Sequence, residues 1–195
     1  MLRGGLLLDL GSGRSKYRLL ISSFIDEYLA LDLVKDETVD IVADAHNLPL
    51  RSECLDAVLC TSVLEHLKEP SQCISEVTRC LKPGGILLLS TCFIYPFHES
   101  PQDYYRFSRR GLKHLLEKNN LRIERLIKMG GLPSSIFFLV TRCLEVIQSP
   151  LAKMLLKLLV LMRSSIERLV DQLDERAASE DALGFFVVAR KPLSN

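Results

Sequence analysis

The chain has 195 residues, 48% hydrophobic and 25% charged, which is enough for one well-cored domain and too little for two ordinary ones. Its 25 Lys and Arg against 24 Asp and Glu leave a net charge of +1, without the broad basic field that tracks a phosphate backbone, so no nucleic acid is expected as partner. Six cysteines with no C-x-x-C pair, mostly inside apolar runs, and an N-terminal apolar run ending at Asp9 fit reduced thiols in a cytoplasmic protein rather than a secreted one; no metal site is expected.

In chain order, residues 6–10 form a short apolar run that ends in an acid, is followed by glycines and predicts a buried strand feeding a tight turn. A helix is expected over 16–24, with Tyr17, Leu20, Ile21 and Phe24 on one face. Strands follow at 28–31, 39–43 and 57–61, then a helix over 71–81 whose Cys73, Ile74, Val77 and Leu81 share a face. "LKPGG" should end that helix, because Pro83 cannot continue it and Gly84 and Gly85 tolerate the turn. A strand at 86–90, a helix capped by Ser108 and reaching Lys118, a strand at 121–126 and a last strand at 184–190 complete the pattern. This alternation predicts an α/β fold, a doubly wound and mostly parallel sheet in a single domain over 1–195. Residues 133–181 exceed what a connection needs and read as an inserted helical pair or hairpin.

Three acids then fall at the carboxyl ends of neighbouring strands, the edge where open α/β sheets bind ligands. Asp9 precedes Gly11 and Gly13, which let the backbone turn sharply and approach a ligand. Lys16 stands where a dinucleotide fingerprint would place a third glycine, which counts against a pyrophosphate site and a nicotinamide-dependent oxidoreductase. Asp32 ends the second strand, where its carboxylate can accept ribose hydroxyls, and Asp44 closes the third.

"LDLGSG", the acid of "LALDL", "VADAHNLP", "LDAVLCTSVLEHL" and "LKPGGILLLS" together resemble, in kind and order, class I S-adenosylmethionine-dependent methyltransferases of the type-11 group, over residues 6–130. The resemblance implies S-adenosyl-L-methionine as cofactor, with Asp9, Gly11 and Gly13 at its methionine end, Asp32 at the ribose and Asp44 with Ala45 at the adenine. Thr61 and Ser62 would leave the fourth strand near the methyl group.

Methyl transfer is an in-line displacement, for which a protein aligns the acceptor, excludes water and removes a proton where the acceptor is a hydroxyl. His66, beside Glu65, is one candidate base, against the commoner role of a histidine bonded to local backbone. The loop "STCFIYPFHESPQDYYRFS" concentrates His98, Glu99, Asp103, Tyr104, Tyr105 and Arg106, and His98 and Tyr105 are candidate catalytic groups. The alternative there is a structural loop in which Arg106 pairs with Asp103 or Glu99.

Residues 136–162 are strongly apolar but interrupted by Arg142, Glu145, Lys153 and Lys157, too often to span a bilayer. Lys153 and Lys157 suit either a helix packed on protein, including a homodimer face, or peripheral membrane contact. The expected function is methyl transfer to a small-molecule or lipid-linked acceptor. The alternative is a methyltransferase-like module that binds cofactor or a partner without turnover, because the sequence begins only five residues before the first strand.

Overall fold

The computed structural model describes residues 4–98, 101–147, 149–176 and 179–193. Among them, strands β1 (Leu6–Leu10), β2 (Glu27–Asp32), β3 (Ile41–Val42), β4 (Leu55–Thr61), β5 (Leu81–Cys92), β6 (Arg122–Met129) and β7 (Gly184–Arg190) form one sheet of order β3-β2-β1-β4-β5-β7-β6. Strands β1 to β5 run parallel, and β7 lies antiparallel to both β5 and β6. The order reverses between β1 and β4, which opens a crevice at their carboxyl ends.

Alternation along β1 sends Leu8 and Leu10 into the main core with Val58, Cys60, Leu87 and Leu89. Helices α2 (Pro70–Cys80) and α3 (Arg109–Lys118) cover that face. In α2, Cys73, Ile74, Val77 and Cys80 recur at helical spacing and are fully buried. Ser108 caps α3 as expected, its Oγ accepting from the Gly111 amide.

The opposite face departs from expectation. The helix predicted over 16–24 shrinks to the single turn α1 (Arg18–Ile21), and Leu20 and Phe24 stay exposed while Tyr17 and Ile21 pack beside Leu7 and Leu59. Tertiary bonds override the helical register: Ser15, at φ 49°, donates to the Thr38 carbonyl at 2.9 Å, and Arg18 pairs with Asp40 at 2.6 Å. Asp40 also accepts from the Ala30 amide at 2.8 Å, so a side chain takes a place in the ladder and β3 keeps only two residues of the expected five. Nor does "LKPGG" simply separate helix from strand. Leu81 already pairs with Leu55, and a register shift before Ala57 and Ile86 absorbs the glycines, with Gly84 at φ 80°.

The insert holds three helices among the described residues rather than a pair: α4 (Leu132–Val146), α5 (Pro150–Leu161) and α6 (Arg163–Arg176); Gln148, Ala177 and Ala178 lie outside the described residues. Prolines open α4 and α5, where a missing N–H costs nothing. Asp174 of α6 returns to the start of α4 and accepts from the amides of Gly131, at 2.7 Å, and Ser134, at 3.2 Å. This capping across 40 residues closes the insert on itself. Ile136, Leu151, Leu155, Leu158 and Leu161 remain exposed. No helix among the described residues is long and apolar enough to cross a membrane.

Candidate active site

The crevice is a cavity of about 1270 Å³. That exceeds the roughly 300–1,000 Å³ of a typical small-molecule pocket and leaves room for a second ligand beside a nucleoside.

At its β1–β2 end the amides of Gly11 and Ser12 both donate to the Leu31 carbonyl, at 2.8 and 3.1 Å, folding the turn back on β2. Gly11 has φ 68°, and a Cβ there would stand 2.4 Å from Val63 Cγ2, so glycine is required twice over. Gly13, at φ 52°, borders open space on the cavity wall. Asp32 accepts from Gly13 and Val34 amides, each at 2.9 Å, one on each oxygen, and each oxygen keeps a lone pair for a ligand. Asp44 and Ala45 follow along the wall. The His46 amide and ring Nδ1 meet Asp44 Oδ1 at 2.8 and 2.6 Å, and this bonding holds the Asp44 carboxyl below the usual range.

Asp9 stands elsewhere. It shares the α1 face with Leu7, is 1% exposed, and does not line the cavity; the Tyr28 hydroxyl donates to its Oδ2. Its carboxyl is raised, by burial above all, and Oδ1 is left without a hydrogen-bond partner, as is the buried Ser12 Oγ. A direct role for Asp9 at the methionine end is therefore not what this geometry displays; it braces the turn from behind. The open space at Gly13 and the spare lone pairs of Asp32 are what an adenosyl amino acid, rich in donors, would need, so the residues present fit that group.

Toward β4 and β5 the wall changes character. Ser62 leaves β4 at φ 54°, a conformation that costs a non-glycine residue about 1–2 kcal/mol. The 3-10 turn Leu64–His66 follows, and Glu65 on it is wholly buried. Its Oε2 accepts from Thr91 Oγ1 at 2.8 Å, while Oε1 has no partner. The Glu65 carbonyl takes the amides of Tyr104 and Tyr105, at 2.8 and 3.1 Å, which fastens the loop after β5 to the turn after β4. His66 and His98 thereby meet edge to face, ring centroids 4.8 Å apart. Their Nδ1 atoms face the carbonyls of Gln102 and Pro96. A carbonyl can only accept, so Nδ1 carries a proton in both rings, and in the neutral ring the lone pair is on Nε2.

Of the predicted catalytic groups, His66 and His98 line the cavity and Tyr105 does not. The Tyr105 hydroxyl donates to the Lys68 carbonyl at 3.0 Å and its ring lies tilted beside Phe107. Thr61 lines the wall as well. The structural pairing read for the loop is present: Arg106 holds Asp103 through two contacts at 2.5 and 2.8 Å, and keeps its carboxyl well below the ordinary range. Glu99 lies outside the described residues. Sequence reasoning missed Thr91, Cys92 and Tyr95, all on the wall: β5 was expected to stop at Ser90 but runs to Cys92, and Tyr95 in the following loop is held by its stacking on Phe138, which no local pattern shows.

A sheet of this order, with glycines and carboxylates at its strand tips, defines an α/β protein of class I methyltransferase architecture. The family described as "Methyltransferase domain" matches residues 8–89. The chain is 38% identical over 96 residues to a tRNA (carboxymethyluridine(34)-5-O)-methyltransferase of Arabidopsis thaliana, covering 45% of this chain and 24% of that protein. It is 28% identical over 136 residues to an uncharacterised methyltransferase of Mycobacterium leprae, covering 62% and 51%. The chain thus spans between about a quarter and a half of these relatives. The structure of a Haemonchus contortus phosphoethanolamine N-methyltransferase 2 in complex with S-adenosyl-L-methionine superposes with TM-score 0.62 at 19% identity, covering 98% of this chain and 50% of that one, a likeness of fold.

Topology and matched segment together show a methyltransferase domain of class I architecture over residues 8–89, and that family implies S-adenosylmethionine as cofactor. The exclusion of nucleic acid is withdrawn, since one relative is named for a tRNA substrate. Net charge averages over the whole surface and cannot speak for a local one.

Proposed function

We propose that this protein transfers the methyl group of S-adenosylmethionine to a small-molecule or lipid-linked acceptor seated between His66, His98 and Tyr95. The observation that carries this reading is that one cavity joins the Gly11, Gly13, Asp32 and Asp44 cradle to the two imidazoles.

When bound, the cofactor supplies an electrophilic methyl on a good leaving group. Asp32 would hold the ribose, Asp44 and Ala45 the adenine edge, and the Gly11–Gly13 turn the methionine end. The Nε2 lone pair of His66, or that of His98 beside it, is placed to take a proton from an acceptor hydroxyl or amine, and the loop pinned by Asp103 and Arg106 shields this end. Tyr95 stacks on Phe138 of α4, with centroids 4.9 Å apart and planes 24° from parallel, so the insert abuts the acceptor end. The exposed leucines of α4 and α5 supply an apolar track from there for the chain of a lipid-linked acceptor, and the same residues 136–162 are the surface for membrane contact or a second copy.

Thermal denaturation tests the first half. S-Adenosylhomocysteine at about 100-fold over its Kd should raise Tm by roughly 5–10 °C, and NAD should not. Transfer of radiolabel from the methyl group into a cell extract tests the second. Stabilisation without transfer would mark a binding module instead.

A further inference from the structure

The acceptor end holds more ligand-type atoms than proton transfer needs. Glu65, Cys92 and His98 each offer a donor atom, and these lie within 4.8 Å of one another. They come from separate elements, the turn after β4, the end of β5 and the loop beyond it. Glu65 is 0% exposed, and its Oε1 is a buried carboxylate oxygen without a partner. Such an atom forfeits hydration for nothing unless a donor or a cation joins it.

We infer that Glu65, Cys92 and His98 form a site for a tetrahedral divalent cation of the zinc type, with its fourth position open to the cavity. The mixed oxygen, sulfur and nitrogen set is that of a borderline-soft ion, and three protein ligands with one open position is the pattern of a catalytic rather than a structural site. The surroundings have the supporting bonds such ligands require. Thr91 donates to the second oxygen of Glu65, and Pro96 O engages His98 Nδ1 at 3.1 Å, leaving Nε2 to ligate. Asp103 lies 3.6 Å from that Nδ1, backing the imidazole with a carboxylate.

Neighbouring ligands of a tetrahedral ion stand about 3.5 Å apart, so the three must close by roughly one ångström, within reach of a side-chain torsion. A metal-bound cysteine is a thiolate, and Cys92 is a buried free thiol. Binding therefore expels the thiol proton to solvent, and the ion's charge stabilises the thiolate. An acceptor oxygen at the open position would be polarised there, and His66, outside the set, remains to take its proton.

The test needs only the purified chain, stripped with chelator, and cobalt(II) as probe. Expected are a single equivalent bound, a near-ultraviolet sulfur-to-cobalt charge-transfer band, the visible bands of tetrahedral cobalt, and displacement by zinc. C92S should abolish the charge-transfer band, and E65Q and D103N should weaken binding about 10- to 100-fold. No saturable cobalt signal in the parent protein, or a charge-transfer band that survives C92S, overturns the proposal. The parent result depends on no variant folding, and S-adenosylhomocysteine binding together with radiolabel transfer, measured separately, reports on methyl transfer whatever the metal result.

Discussion

The two ends of the cavity are built on different principles. At the cofactor end every group comes from a strand tip or the turn just after it, within residues 9–45, and short local bonds hold each in place: Asp32 to Val34, Asp44 to His46. At the acceptor end Glu65, Thr91, His98 and Tyr104 meet across 39 residues of chain, and Phe138 of the insert reaches Tyr95 from further still. The first end is local geometry repeated at successive strands. The second is an assembly that exists only once the sheet, the loop and the insert have docked. Substitutions should therefore act differently: at the first end they should move nucleoside affinity, at the second turnover alone.

The largest effect is expected at the first end. Gly11→Val combines a positive φ with a collision against Val63, and should lower S-adenosylhomocysteine affinity about 100-fold or more, measured by calorimetry. His66→Ala should do the converse, reducing single-turnover methyl transfer by about 100- to 1,000-fold while leaving that affinity within a factor of two. Equal losses in both quantities would erase the distinction between the ends. Asp32→Asn removes the charge from the proposed ribose acceptor and slackens Gly13, and should cost roughly 10- to 100-fold in nucleoside affinity.

The Asp103–Arg106 pair supplies a pH test. The guanidinium beside it holds the Asp103 carboxyl well below the ordinary carboxylate range, so the folded state binds that proton less readily than the unfolded chain. Its stabilisation is then fully present above about pH 4, the usual unfolded value, and is lost as pH falls through the depressed one. The Tm difference between parent and D103N should stay flat from pH 9 to about 5 and shrink in stronger acid; a difference that grows on acidification would contradict the pairing. The smallest effect belongs to Tyr105→Phe, which gives up one bond to the Lys68 carbonyl. It should cost about 0.5–1.5 kcal/mol in chemical denaturation and leave turnover within twofold, in keeping with a tyrosine off the wall.

The amino-acid sequence by itself determined the parallel core of the sheet, the Cys73, Ile74 and Val77 face of α2, the Ser108 cap of α3, and the placing of Gly11, Gly13, Asp32, Asp44 and Ala45 at strand tips. Apolar periodicity, capping and turn chemistry act over a few residues, so they can be read without the rest of the chain. Only the tertiary structure decided that Asp9 turns to Tyr28, that Tyr105 leaves the wall while Glu65 joins it, that α1 stops after one turn, and that Asp174 closes a three-helix insert. Those outcomes rest on bonds between residues 19 to 43 positions apart, whose strength depends on a geometry that no local pattern encodes.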